Sequence, residues 1–414
     1  MKKPHITIWM LSLLMAGTTL FAQSRTPQSG PPTSNQLKPV GINLSVWKSI
    51  STQPKDSIGS TAFNLGLFSV QNNLTGLGIN LLASVTRHQV TGVQLAGISN
   101  NVGQRMKGFQ LAGITNINSY GHQGAAIAGL VTINGGEGRG FLASGLANIT
   151  GNDNRGVTMA GLMNLSGNGG RGLVLSGLAN IAGDDDRGLA LSGLMNVSGG
   201  SSTGVQASSL LNVTGEDMTG FQLSALGNVA GGKLKGVQIG LANVATRAQG
   251  VQIGLFNYYK DKFDGLQLGL VNANPHTRVQ LLLSGSNSTK INLAARFKND
   301  RLYTIVGAGA PYFGFGDKFS GALFYRAGAE LPLYRHLSLS GDLGYRHIET
   351  FRKNDADCPA RLYSLQARIN LEYRLTDAMG IFVSGGYGWD RYYNRNSTYD
   401  QGIIIEGGIV LFKY

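Results

Sequence analysis

The chain has 414 residues, a formal net charge of +13, 61 glycines, ten prolines and one cysteine, with 42% hydrophobic and 14% charged residues. Glycine at that density with so little proline excludes a disordered tail and an ordinary mixed α/β enzyme, and points to many short strands separated by turns. The lone Cys358 excludes an intramolecular disulfide framework. The basic residues are spread through turns and strand faces, which fits an anionic lipid or glycan surface and not nucleic acid.

In chain order, the first element reads as an export signal. Lys2 and Lys3 precede an apolar run from Ile6 to Gly17 and then Ala22, so residues 1–22 are expected to be a signal peptide cut after Ala22, although Leu20 departs from the usual small residue before the cut. The run is shorter than the roughly 20 apolar residues of a membrane-spanning helix. Residues 23–40, which include SRTPQSGPPTSN, are expected to be a flexible linker.

Residues 41–277 form the repeat region. A leading glycine recurs at Gly76, Gly92, Gly108, Gly124, Gly140, Gly156, Gly172, Gly188, Gly204, Gly220 and Gly236, always sixteen residues apart, and the units led by Gly250 and Gly265 are slightly shorter. So strict a repeat is a structural unit that cannot bury its apolar face alone and needs neighbours stacked on it. The apolar positions are the second, fourth, seventh and tenth, for example Leu173, Leu175, Leu178 and Ile181. The first step of two is that of a strand, and the longer steps that follow predict a turn or bulge at the central Ser-Gly or Ala-Gly pair.

The ninth position is Asn100, Asn116, Asn148, Asn164, Asn180, Asn196, Asn212 and Asn228, with Thr132 as the exception. Stacked asparagines can satisfy one another in a ladder; a turn residue with positive φ is the alternative. Acidic turns such as Gly183-Asp184-Asp185-Asp186 suggest calcium, but the neighbouring turns lack carboxylates, so a solvated turn is expected. The turns do not alternate in length, which predicts a β-solenoid of roughly eleven coils, on the order of 50 Å at about 4.8 Å per coil. The alternative is a single large porin-like barrel built from repeats and tail together.

Residues 278–414 change to strict alternation. Leu365, Ala367, Ile369, Leu371 and Tyr373 fall on one face, with polar residues between them. Eight such strands begin near Val279, Ile291, Leu302, Leu323, Leu337, Leu365, Gly380 and Gly402, with alternating long and short connections, as in an outer-membrane barrel. Arg296, Arg326, Glu330, Asp342, Arg346, Arg368, Glu372 and Glu406 then form a salt-bridged lumenal plug. Tyr325, Tyr334, Tyr345, Tyr373, Tyr387 and Trp389 can supply interfacial girdles, and the aromatic end at Phe412 and Tyr414 is of the type outer-membrane assembly machinery reads.

No catalytic, cofactor or metal site is expected. Gly200-Ser201-Ser202-Thr203-Gly204 matches G-x-S-x-G but leads into no helix. His88, His122, His276, His336 and His347 have no zinc spacing. Barrel-borne hydrolase chemistry is a remote alternative, because nothing pairs the loop Ser, His and Asp residues.

The segments GVQLAGISN, GFQLAGITN, GVQIGLANV, GVQIGLFNY and GLQLGLVN resemble the bacterial surface-repeat-containing proteins, and the combination with a β-rich tail is similar to members from Gram-negative bacteria. The resemblance covers roughly Gly41 to Asn274. It implies a cell-surface setting and carries no catalytic residues; a protein or glycan ligand is a separate expectation whose identity stays open. Counting eight strands back from a periplasmic C-terminus instead places Arg278 and the repeats in the periplasm, so both sides of the membrane stay open.

Overall fold

The computed structural model describes residues 39–47, 50–52, 59–311, 319–351, 360–395 and 397–412. The expected signal peptide, most of the linker, Cys358 and Tyr414 lie outside them. The first strand, Pro39–Trp47, begins inside the segment expected to be linker. The described chain is all-β, a parallel β-solenoid of about 13 turns and a closed antiparallel barrel of eight strands. It divides into two compact units between Asp217 and Met218.

In the first unit each regular coil contains two strands. Gly170–Ser176 leads to a corner at Gly177 and Leu178, and Ala179–Ala182 leads to a polar turn before the next coil begins with Asp186–Ser192. Like residues pair in parallel, Gly172 with Gly188 and Asn180 with Asn196. Parallel ladders between successive coils overturn the single large barrel, whose walls require antiparallel neighbours. The turn count exceeds the expected eleven because irregular ends join the stack: Pro39–Ser45 pairs in parallel with Ser60–Gly66, and Phe256–Tyr258 with Val271–Ala273.

The leading glycines are required twice over. Gly172 has φ +123°, and a Cβ there would stand 2.2 Å from the carbonyl oxygen of Gly156 in the coil before. No repeat asparagine has positive φ; among the described residues only Asp300, Arg335 and Phe412 do so without being glycine.

The coils reverse the expected core. Leu178 and Leu194, at the corner, are 39% exposed, and the second, fourth and tenth positions also face outward. Inside lie the third, fifth, ninth, eleventh and fifteenth positions, which in one coil are Gln94, Ala96, Asn100, Val102 and Met106, all buried. Two short strands back to back leave a narrow interior, filled by amides that bond along the stack and by apolar side chains such as Leu74, Met106 and Leu142.

The second unit holds the last coils, from Met218–Ser224 through Val271–Ala273, and the barrel. Its strands are β1 Arg278–Ser286, β2 Ile291–Asn299, β3 Leu302–Ala310, β4 Ser320–Tyr334, β5 Leu337–Thr350, β6 Arg361–Arg374, β7 Met379–Tyr392 and β8 Thr398–Leu411. Closure is by β1 on β8, with Leu282 opposite Val410. The connections 300–301, 335–336 and 375–378 lie at one end with Arg278 and Leu411, and 287–290, 311–319, 351–360 and 393–397 lie at the other, so that all but the first of these are longer.

Candidate functional sites: an amide-lined core and an ion-paired lumen

Where a ladder asparagine is followed by another one coil on, it uses both amide hydrogens. Asn148 Nδ2 donates to Asn164 Oδ1 at 2.9 Å and to the Met159 carbonyl at 2.6 Å, and the same pair of bonds recurs from Asn164 to Asn180, Asn180 to Asn196 and Asn196 to Asn212. Asn100 donates to Asn116 at 3.0 Å. At Thr132 the ladder is bridged by Ser144, whose hydroxyl reaches Thr132 at 2.9 Å and Asn148 at 2.7 Å. In the second unit the ladder runs from Asn228 through Asn243 and Asn257 to Asn272, extending past the last asparagine singled out in the sequence.

Sequence reasoning missed a second ladder at the third position. Gln110 donates to Gln94 at 3.2 Å, Gln238 to Gln222 at 2.8 Å, Gln252 to Gln238 at 2.8 Å and Gln267 to Gln252 at 2.7 Å. Its signal is the polar residue held between two outward apolar ones in Val-Gln-Leu, Phe-Gln-Leu and Val-Gln-Ile.

Ser202, the central residue of the G-x-S-x-G match, begins a strand and is buried, accepting from Gln206 at 3.0 Å and Thr214 at 3.1 Å. The acidic turn serves the stack: Asp186 accepts the Gly170 amide at 3.1 Å and Asp185 the Ser201 amide at 2.8 Å. Burial pushes the Asp186 carboxyl up to about 6 against the pull of the Gly170 and Arg187 amides. Burial likewise holds His122 down at about 4, opposed by Asn134 and the Phe141 backbone. Among the described residues no group of three His, Cys, Asp or Glu could hold a metal ion.

The eight lumenal residues are all buried inside the barrel. Arg296 grips Glu372 with two nitrogens at 2.7 and 3.0 Å and Gln280 with its Nε at 2.7 Å. Glu406 lies between Arg326, at 3.2 Å, and Arg368. Asp342 accepts from Tyr303 at 3.0 Å and Asn370 at 2.7 Å. Arg346 faces Asp390 at 3.7 Å, and Glu330 pairs with Lys298. Lys298 and Asp390 were not singled out in the sequence, although Lys298 follows Arg296 at the two-residue period of β2. A cluster of Leu282, Ile305, Phe324, Phe382 and Val410 fills the remaining interior.

The outer wall is apolar, with Leu323, Leu343, Ile369, Val383, Ile403 and Ile405 each more than 60% exposed. Strand register sets Tyr345 level with Leu365 and Trp389 towards the long connections, and Tyr334 near Leu337 and Tyr373 at the short ones. Tyr325 departs from the expected girdle, because its hydroxyl donates to the Gly269 carbonyl of the last coil at 2.8 Å. A cleft of about 1270 Å³ separates the last coils from this wall, between Phe263, Leu266 and Leu268 on one side and Leu302, Ala327 and Ile369 on the other. A scan against models of known protein families finds no match, and no curated protein matches the chain.

Proposed function

We propose that this is a non-enzymatic cell-envelope protein, held in an outer membrane by its carboxyl-terminal barrel, whose repeats form a rigid scaffold. One observation carries the reading: the barrel buries its charges and turns leucine, isoleucine and valine outward, which suits lipid outside and is costly in water. Paired aromatic belts and the asymmetry of the connections support it, as does the resemblance of the repeats to surface-repeat-containing proteins. Lipid and the outer-membrane assembly machinery are then its first partners, and the end with short connections faces the periplasm. Cell fractionation with heat-modifiable gel mobility tests this. The protein is expected in the outer-membrane fraction, with unboiled and boiled samples migrating differently; recovery as a soluble periplasmic protein would sink the reading.

A further inference from the structure

The solenoid has a skin that water does not explain. The corner row Ile98, Ile114, Leu130, Leu146, Leu162 and Leu178 is 39–43% exposed, and rows mainly of valine, leucine and isoleucine, with Phe141 and Met159 among them, flank it on both faces. The opposite turns are polar, and their charges pair there, Arg155 with Asp153 at 3.2 Å and Arg187 with Asp185 at 3.8 Å. Each coil is therefore a blade with an apolar tip and a charged back.

We infer that the solenoid is a lipid-inserted element, its tip row dipping into one leaflet while the polar turns stay at the headgroups. The proposal rests on the barrel reading only for which leaflet is entered. Dimensions agree with one leaflet: from the second to the seventh position an extended strand reaches about 16 Å at about 3.3 Å per residue, close to half of the roughly 30 Å hydrocarbon thickness. Position agrees too, because the last coil lies against the barrel's outer wall. The Leu270 carbonyl, at the tip, accepts from Thr304 at 2.9 Å part-way up β3, and Asn272 lies against Asn299 beside the short connection 300–301. Tip and wall thus share one apolar level, and the polar end of that coil coincides with the barrel end that has short connections. In an outer membrane this is the periplasmic leaflet.

The chemistry of the rows favours lipid over a protein. A protein interface carries aromatic and arginine anchors within a polar rim, whereas the tip row repeats leucine or isoleucine coil after coil with no aromatic, charged or polar break, and the few phenylalanines lie in the row behind it. The interior agrees as well, since amides satisfied inside the coil leave few polar groups to desolvate when its outside enters hydrocarbon.

The test uses the full chain with Cys358→Ser, reconstituted in phosphatidylcholine vesicles, and a fluorophore at one introduced cysteine. The sites are Leu178→Cys at the tip, Asn168→Cys in a polar turn, and Ile369→Cys on the barrel wall, all exposed positions that leave the fold intact. Quenching is by nitroxide lipids labelled deep in the acyl chain or by aqueous iodide. The tip and wall sites are expected to be quenched several-fold more by the nitroxide than the turn site, and the turn site more by iodide. A tip open to iodide beside a lipid-quenched wall overturns the inference and leaves the barrel anchor standing. A tip shielded from both quenchers means that protein, such as a second copy, covers it, and also overturns the inference. A lipid-quenched tip with a wall open to iodide supports insertion of the solenoid and removes the barrel anchor. Iodide access at both removes both.

Discussion

In the coils the polar interior is built mainly of neutral amides, and in the barrel it is built of charges, although both elements turn their apolar side chains outward. The difference follows from repetition. A coil must stack on a near copy of itself, so an interior group must bond to its own kind, and an amide carries both a donor and an acceptor. A carboxylate stacked on a carboxylate at about 4.8 Å would be repelled by roughly 3.5 kcal/mol even at an effective dielectric constant of 20. Barrel strands are not copies, so Glu406 of β8 can meet Arg326 of β4 and Arg368 of β6 across the lumen. Where the coils do carry charge in register, as at Arg155, Arg171 and Arg187, it stands on the water-facing turn beside acidic partners.

The largest effect is expected from unbalancing the lumen. Glu406→Ala leaves Arg326 and Arg368 buried without their shared partner and should cost about 3–5 kcal/mol, read as a lowered denaturant midpoint of the barrel in detergent. An unchanged midpoint would mean that water compensates the lumen, and the contrast with the amide core would lose its force.

Next comes charging the solenoid by acid. His122 is held at about 4 in the fold against 6.5 unfolded, so the unfolded chain binds more protons between those values. Its contribution is complete above pH 6.5 and is lost as pH falls towards 4, about 3 kcal/mol at most. The protection factors of amides in the strand Gly121–Ala128, taken relative to the intrinsic exchange rate at each pH, should therefore fall on acidification, and His122→Gln should flatten that profile. Asp186 works in the opposite sense: its folded value of about 6 lies above 3.8, so its cost to stability grows as pH rises from 3.8 to 6. A loss of protection that persists in His122→Gln would assign the acid sensitivity elsewhere.

A smaller effect is expected from one rung of the ladder. Asn180→Leu removes the donor to Asn196 and strands the Leu191 carbonyl and the Asn164 amide, for about 1–3 kcal/mol. Local proteolysis near residue 180 would rise, while barrel mobility on gels stays as before. A variant indistinguishable from the parent in proteolysis would show that the rungs are not cooperative.

The barrel was legible because period two and connection length together fix strand and face: the alternation around Arg368 and Glu372 in β6 appears in the structure as written in the sequence. The asparagine column was legible from spacing alone. The facing of the coils was not, because period two separates Val93 and Leu95 from Gln94 and Ala96 without saying which pair is inside. The general habit of burying apolar residues pointed the wrong way. Only the stacking geometry, in which glutamine bonds to glutamine one coil away, decides it. The full turn count was also hidden, since Pro39–Trp47 shows no sixteen-residue spacing yet pairs in parallel with the next coil, and the shorter units after Gly236 keep their parallel partners.

The ladder has one further property. Every asparagine from Asn148 to Asn196 donates towards the higher-numbered coil and, from Asn164 onward, receives from the lower. A coil therefore hands on the same bond that it accepts, and within the ladder the place of residues 172–187 does not differ from that of 188–203. Such a unit is interchangeable. Recombination between near-identical stretches could remove or add one without leaving a mismatched seam, which makes the length of the solenoid a heritable quantity that can drift by whole coils while its cross-section stays fixed.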